Sequence, residues 1–181
     1  QLNDDVAQIA QLNDTEQQQA AYHQIDIPNF RLEQLEYSRE KERIPRVKES
    51  MKMKLDRYVS VSGKRWFFSP NIMSRLESLP ANTKDRKYPV VLRYTYSKVD
   101  TTVIDFPGNL YPEFVPEPTT ISSMFGTYQS EYKVDQGKIV YIRRLLKKKG
   151  IFSPQTYQEL LKFYEEMAKA DRQQLVLRKN T

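Results

Sequence analysis

The chain has 181 residues, with 29 lysines and arginines against 23 acidic residues and a formal charge of +6. This length fits one domain, or one domain with an appendage. The absence of cysteine excludes disulfides, thiolate metal sites and a cysteine nucleophile from this chain. The acids are interspersed among the bases, so the sequence lacks the concentrated basic face of a nucleic-acid binder. No apolar run reaches the length of a membrane span, and no signal peptide is visible.

Residues 1–24 are rich in glutamine and have helical periodicity. Apolar residues recur at helical spacing, at Leu2, Val6 and Ile9. Asp14 or Thr15 is predicted to cap a second helix, in which His23 is a surface residue. We interpret 1–24 as a helical segment, the end of an upstream domain, and 25–181 as the main domain. The start at Gln1, without methionine, indicates a fragment or a processed form.

Period-two alternation predicts strands from Ile27 onward. A first strand carries Phe30 and Leu32 and leads to a charged tip at residues 39–42. A long half-buried strand is predicted from Val47 to Val61, with a bend or bulge at Arg57. A turn at Ser62-Gly63 then precedes an apolar strand that starts at Trp66 and ends before Pro70. Residues 71–87 are predicted to be irregular.

The middle of the chain predicts two further strands and a proline-rich segment. The first strand carries Val90, Leu92, Tyr94 and Tyr96, and the second runs from Thr101 to Phe106. Four prolines in residues 107–118 exclude both a helix and a central strand. An extended edge or a pair of turns is therefore expected there.

A hairpin followed by a helix is predicted in the last third of the chain. Strand residues alternate on each side of a turn at 135–137, where Gly137 is expected to take a left-handed conformation. Ser153 as N-cap and Pro154 at the first helical position begin an amphipathic helix over 154–170. A last strand covers 175–177. The predicted fold is mainly β (α+β): an antiparallel β-sandwich with this C-terminal helix packed on it and a short N-terminal helical segment.

The sequence offers little for catalysis. Carboxylate pairs such as Asp100 with Asp105, or Glu113 with Glu117, could in principle serve a hydrolase, but their separations are not readable from the sequence. The five glycines are isolated, so no phosphate-binding loop is predicted, and no calcium-loop spacing occurs. The lysine run 147–149 is typical of a solvated strand tip. No catalytic, cofactor-binding or metal-binding residue is predicted.

Aromatic residues are numerous, with twelve tyrosines, eight phenylalanines and one tryptophan. Most aromatics in strands serve packing. Four are candidates for stacking on a sugar or peptide ligand, or for contact with another domain: Trp66, Tyr94, Tyr96 and Tyr111.

Several short motifs resemble the C-terminal β-rich domain of large exported bacterial proteins of the transglutaminase-like (papain-fold) type. The resemblance covers about residues 25–180, and its motifs lie at 27–30, 62–68, 106–116, 124–128, 141–143, 152–154, Tyr157, Phe163, 169–171 and 176–177. The sequence departs from the pattern at Gly108-Asn109-Leu110, where the family tends to have Gly-Tyr after the proline. The family's catalytic residues belong to its central domain and match no position here.

This resemblance implies a non-catalytic accessory domain that packs on or positions a transglutaminase-like domain, or binds another envelope protein or a glycan. It also implies export to the periplasm or cell surface. The expected partner is the upstream domain of the same polypeptide. A free-standing carbohydrate- or peptide-binding module is the alternative, and a carboxylate hydrolase is a third.

Overall fold

The computed structural model describes residues 2–25, 27, 29–40, 46–76, 78–83, 85–135 and 137–180, with side chains from residue 6 onward. These residues form two compact units, Gln1–Tyr58 and Val59–Thr181. Parts of the predicted charged tip (residues 41 and 42) and of the predicted turn (residue 136) lie outside the described residues. None of the described helices is long and apolar enough to span a bilayer.

The first unit contains helices α1 (Leu2–Ile9) and α2 (Asp14–Gln24), followed by strands β1 (Phe30–Glu40) and β2 (Arg46–Leu55). Asn13 caps α2, so the prediction of Asp14 or Thr15 as the cap was wrong. The Asn13 side chain accepts from the Glu16 backbone N–H, and the Glu16 carboxylate accepts from the Asn13 N–H. This reciprocal capping box requires the spacing of three residues that Asn13 and Glu16 provide.

β1 and β2 form an antiparallel hairpin with a register shift between Leu32 and Gln34. The predicted long strand ends at Leu55, earlier than expected, because Arg57 has a φ of +61°. The predicted bend at Arg57 is thus confirmed, and the chain resumes extended structure only at Ser60. A left-handed residue interrupts the pleat that a continuous strand needs.

The described part of the second unit contains ten strands and one α-helix. Its strands are, in chain order, β3 (Ser60–Ser62), β4 (Arg65–Phe68), β5 (Val90–Leu92), β6 (Tyr96–Asp105), β7 (Leu110–Phe114), β8 (Thr119–Ser123), β9 (Gly126–Asp135), β10 (Lys138–Lys147), β11 (Gly150–Phe152) and β12 (Leu175–Lys179). Two four-stranded sheets have the orders β6-β10-β9-β8 and β3-β4-β12-β7, and β11 pairs with β5. All described pairings are antiparallel. The prediction of a mainly β fold with antiparallel sheets, a C-terminal helix and a short N-terminal helix is confirmed.

The predicted hairpin is formed by β9 and β10, which pair over ten residues. Gly137 has a φ of +70°, which confirms its predicted left-handed conformation. The return strand buries one face, formed by Ile139, Tyr141, Arg143 and Leu145. This face carries one charged residue, Arg143, and the candidate site is built around it.

The prediction of one continuous strand over 90–96 was wrong in its extent. β5 ends at Leu92, and Tyr96 begins β6, which also includes most of the predicted 101–106 strand. β5 pairs with β11, whereas β6 pairs with β10. The alternation of side chains continues through Tyr94, so the sequence does not reveal that the chain changes its pairing partner there.

The proline-rich segment contains β7, an edge strand that pairs with β12. Pro112 lies opposite Leu177, beside a register shift that leaves Glu113 of β7 without a directly opposite residue on β12. An edge strand tolerates proline, because only one of its sides must supply ladder hydrogen bonds. The prediction of an extended edge is confirmed.

The helical segment begins with a 3₁₀ turn (Pro154–Thr156) and continues as helix α3 (Tyr157–Asp171). Ser153 is the N-cap of the turn, but its side chain makes no capping hydrogen bond. The apolar stripe of α3 packs against the sheet around Phe125 and Tyr128, which have no exposed surface. Asp171, the last residue of α3, is carried into this packed interior.

Candidate functional site: a buried carboxylate at the end of helix α3

The carboxylate of Asp171 is completely buried and accepts five hydrogen bonds. Its Oδ1 atom accepts from Arg143 Nε, Asn71 Nδ2 and the Tyr128 hydroxyl, each at 2.8 Å. Its Oδ2 atom accepts from the Leu76 backbone N–H at 3.1 Å and from Arg143 Nη2 at 3.2 Å. The two oxygens of a carboxylate offer about four lone-pair positions, so this group is saturated.

Arg143 is the cationic partner, and its side chain is only 5% exposed. Its two hydrogen bonds to Asp171 form the bidentate fork that suits a carboxylate. A weaker contact of 3.4 Å joins Arg143 Nη1 to Asp100 Oδ2 on β6. Burial disfavours the Arg143 cation, but the hydrogen bonds and charge of Asp171 outweigh it and raise the pKa of Arg143 above its ordinary value.

Tyrosines surround the ion pair. Burial, with the negative charge of Asp171, raises the pKa of Tyr128 to about 12. Burial also raises the pKa values of Tyr132 and Tyr141 above their ordinary range. All three phenols are therefore neutral at physiological pH, where they can donate hydrogen bonds but cannot act as bases.

Two buried hydroxyls on the same side of the β9–β10 pair, those of Ser130 and Tyr141, make no hydrogen bond of ordinary geometry to any described residue. The pKa of Tyr141 is raised first by burial and then by the neighbouring Tyr128 phenol. An unpaired buried hydroxyl contributes nothing to offset the cost of its desolvation. The Ser130 hydroxyl therefore does not stabilise the ion pair of Asp171 and Arg143.

The buried ion pair of Asp171 and Arg143 also holds the irregular segment that precedes β5. Asn71 and Leu76 bind Asp171 directly, and Ser74 Oγ accepts from Lys98 Nζ at 2.7 Å. Further along, the Tyr157 hydroxyl donates to the Ala81 carbonyl at 2.7 Å. The described part of 71–87 thus lacks helix and strand, as predicted, yet it is held by side chains of the sheet and of α3.

Three of the four acids in the predicted carboxylate pairs have cationic partners in the structure. Asp100 lies on the inward face of β6 with Arg143 and Lys98, whereas Asp105, five residues later, lies on the outward face near Lys138. Glu113 accepts from Arg65 and Arg178.

The hydrogen bonds from Arg65, together with those from Arg178, lower the pKa of Glu113 to about 2. Among the described residues, no group of three or more histidines or acids lies close enough together to hold a metal ion.

The four candidate aromatics lie in different surroundings. Trp66 on β4 lies opposite Leu177, and Tyr111 on β7 lies opposite Arg178, the next residue of β12. Because neighbouring strand residues point to opposite faces, Trp66 and Tyr111 occupy different faces of this sheet. Tyr94 lies between strands with 68% exposure, and Tyr96 is half-buried near the Lys147 ammonium.

The sequence interpretation missed Arg143 and Asp171, although both left a signal. Arg143 lies in register with Ile139, Tyr141 and Leu145 on the predicted apolar face of its strand. A charged residue at such a position requires a buried partner. Asp171 follows Met167 by four residues and therefore continues the buried stripe of α3.

These features define a class: a small antiparallel β domain whose buried charges hold segments of the fold together. Within that class, the chain belongs to a family described as a domain of unknown function with solved structure, DUF3858, whose pattern matches residues 64–177. The prediction of a β-rich domain of unknown function is therefore confirmed.

The chain is also similar to a solved structure from Parabacteroides distasonis ATCC 8503, described as a putative protease, with 17% identity and a TM-score of 0.46. The similarity covers 54% of this chain and 19% of that chain, so this chain matches about a fifth of that protein's length. No curated protein matches the chain.

Proposed function

We propose that this chain is a non-catalytic accessory module that packs on a neighbouring domain of its own polypeptide. The observation that carries the proposal is the saturation of its buried charges. Asp171 is fully buried with five donors, and Arg143 is held by two carboxylates. A catalytic acid or base must reach a substrate proton, directly or through one water. These groups instead connect a helix, a sheet and an irregular segment.

The β1–β2 hairpin supplies the contact surface for this role. One of its faces is half-buried and mostly apolar, and its one charged residue, Glu49, accepts from the Tyr37 hydroxyl. The apolar residues of this face are Phe30, Leu32, Leu35, Tyr37, Val47, Met51, Met53 and Leu55. The opposite face carries charged residues such as Lys52 and Lys54. A two-stranded hairpin is marginally stable by itself. Helices α1 and α2 cover part of this apolar face, because the Tyr22 ring stacks on Phe30 with 5.0 Å between ring centroids and α1 contacts β2. The part of the face that stays half-exposed is the contact surface that we propose. The hairpin also lies outside residues 64–177, the part of the chain that matches the family.

The occupant we propose is the neighbouring domain of the same polypeptide, of the transglutaminase-like type. The resemblance described above supports this choice, as does the mixture of apolar and charged faces on the hairpin. Tyr94 and Tyr111 are 68% and 40% exposed and are proposed as further contact residues. A carbohydrate-binding role would favour aromatics gathered on one face, whereas Trp66 and Tyr111 lie on different faces of their sheet.

Binding in trans tests this assignment. The neighbouring domain would be produced separately and titrated with the whole chain by calorimetry. Met51→Glu should weaken binding by about tenfold or more, because a buried methionine contributes about 1.5–3 kcal/mol. Lys54→Glu is the matched control on the charged face of the same strand, opposite Arg31, and should bind normally. Circular dichroism would verify that both variants fold. Equal binding by both variants would contradict the role of the apolar face.

The parent reading frame provides a second test. A papain-like domain with a catalytic cysteine, preceded by an export signal, is the expected arrangement. A reading frame with neither would contradict both the accessory role and the proposed export to the periplasm or cell surface.

A further inference from the structure

Strand β6 differs from the other edge strands of the two four-stranded sheets in the second unit, because it is long and regular. The four-stranded sheets have β6, β8, β3 and β7 as their edges. β8 has five residues, β3 has three, and β7 contains Pro112 beside a register shift. Such short or proline-containing edges discourage unwanted pairing. β6 instead runs for ten residues in unbroken register with β10 and contains no proline.

The backbone groups that β6 leaves unpaired can be assigned. The Phe106 N–H donates to the Gly137 carbonyl at 3.0 Å, which continues the β6–β10 ladder by one residue. Residues of an antiparallel strand alternate in the direction of their backbone groups. The even-numbered residues therefore face β10, and the open edge is formed by the odd-numbered ones, Ser97, Val99, Thr101, Val103 and Asp105.

The side chains along this edge are apolar or uncharged in the centre. Val99 and Val103 are 58% and 51% exposed, and Thr101 between them is also exposed. On the neighbouring strand, Val103 lies opposite Val140 and Thr101 lies opposite Ile142, so the apolar stripe continues across the sheet. No described strand other than β10 pairs with β6.

We propose that β6 pairs antiparallel with β6 of a second copy of this chain, around a two-fold axis at Thr101. In this register Thr101 faces Thr101, Val99 faces Val103 and Ser97 faces Asp105 of the second copy. The odd-numbered residues then exchange about ten hydrogen bonds, a number typical of a specific interface. An isologous pairing of this kind closes after two copies.

The charges of Asp100 and Asp105 favour this register over the two registers that are shifted by two residues. A slip by two residues in one direction places Asp100 directly opposite Asp100 of the second copy, which is destabilising. A slip in the other direction places Val99 opposite Asp105. In the proposed register no two like charges face each other on either side of the sheet. This self-complementarity favours a second copy over an unrelated extended peptide, whose pairing would be an alternative outcome of the test.

Charge-swapped variants of the whole chain test the pairing at the axis. By sedimentation velocity, the unmodified chain should show a concentration-dependent species of twice its mass. Thr101→Lys and Thr101→Glu should each be monomeric, because like charges then face each other across the axis. An equimolar mixture of the two variants should restore the dimer. Thr120→Lys on the short edge β8 is the matched control and should dimerise like the unmodified chain.

A cysteine cross-link tests the same contact directly, because the chain has no cysteine of its own. Facing residues in an antiparallel pair have Cα atoms about 4.5–5.5 Å apart, within the range of a disulfide. Thr101→Cys should form a covalent dimer under mild oxidation, whereas Thr120→Cys should not.

A chain that stays monomeric at high concentration would overturn the proposal. So would dimers that survive both charge variants, mixtures that fail to restore pairing, or binding of an extended peptide at β6 without self-association. None of these outcomes would affect the accessory role, which depends on the β1–β2 hairpin.

Discussion

Replacing Asp171 with asparagine should destabilise the second unit strongly. Asparagine has nearly the same shape, but its side chain has an amide nitrogen in place of one carboxylate oxygen. This nitrogen would face the three donors at the Oδ1 position or the two donors at the Oδ2 position. Arg143 would then carry a buried charge with only the 3.4 Å contact to Asp100 for compensation. Removing one partner of a buried ion pair costs about 3–5 kcal/mol. The residual contact with Asp100 places the expected loss near the lower end, at about 3 kcal/mol.

Two further variants separate the charge from the other hydrogen bonds. Asp100→Asn should cost about 1 kcal/mol or less, because Asp100 is partly solvated and makes the longer contact. The double variant Arg143→Met with Asp171→Asn should be more stable than Asp171→Asn alone, since it removes the uncompensated cation. Together with the single variant Arg143→Met, these variants form a double-mutant cycle that isolates the coupling between the two side chains.

Denaturant unfolding provides the measurement. Trp66 is the sole tryptophan and lies on β4, so its fluorescence reports on the second unit. The free energy of unfolding should fall while the denaturant slope stays constant. A loss below about 1 kcal/mol for Asp171→Asn, or a loss no larger than that of Asp100→Asn, would refute the structural role of this ion pair.

Four further predictions concern other parts of the second unit. In denaturant unfolding, Tyr141→Phe should change stability by less than about 0.5 kcal/mol, whereas Tyr128→Phe should cost about 1–2 kcal/mol, because only Tyr128 hydrogen-bonds to Asp171. The Tyr128 pKa of about 12, against 10.0 ordinarily, represents stability that is present below pH 10 and lost as the pH rises through 12, measurable by tyrosinate absorbance. Gly126→Ala should cost at least about 2 kcal/mol, because its Cβ would lie 2.0 Å from the Leu146 carbonyl oxygen, while Gly108→Ala, with open space around it, is the neutral control. An NMR titration should give Glu113 a pKa of about 2. Its contribution to stability is present above pH 4.5 and should be lost as the pH falls through 2. The variant Glu113→Gln should lack this contribution.

Contrary results are defined for the tyrosine variants, for Gly126→Ala and for Glu113. Equal costs for the two tyrosine variants would contradict the assignment of the unpaired hydroxyl. A fully stable Gly126→Ala variant would contradict the close approach of β9 and β10. Titration of Glu113 near its ordinary value would contradict its pairing with Arg65 and Arg178.

The local elements were largely predictable from side-chain period and turn residues. Gly137 required a left-handed turn, and the apolar face of β10 followed from strict alternation. The errors occurred where a choice depended on a partner. Asn13 caps α2 because Glu16 reciprocates, and the predicted strand over 90–96 is interrupted after Leu92 because β5 and β6 pair with different strands. Alternation within one segment carries no information about its neighbour.

The candidate site lay beyond prediction for a related reason. Arg143 and Asp171 are 28 residues apart, and Asn71 is 100 residues from Asp171. Each residue type is common on protein surfaces, and only the burial of all of them together makes the cluster a constraint on the fold. The one local signal, an arginine on an apolar strand face, indicates that a partner must exist without indicating which acid it is.

The sequence by itself determined the absence of thiol chemistry, the dominance of period-two strands and the amphipathic helix near the C-terminus. These are local properties, set by residue type and spacing. Only the tertiary structure decided that Asp171 is saturated in the interior, that Trp66 and Tyr111 lie on different faces of their sheet, and that β6 is the long open edge. Such features arise from contacts between residues far apart in the chain, and the hydrogen bonds and burial that define them exist only once the segments are packed together.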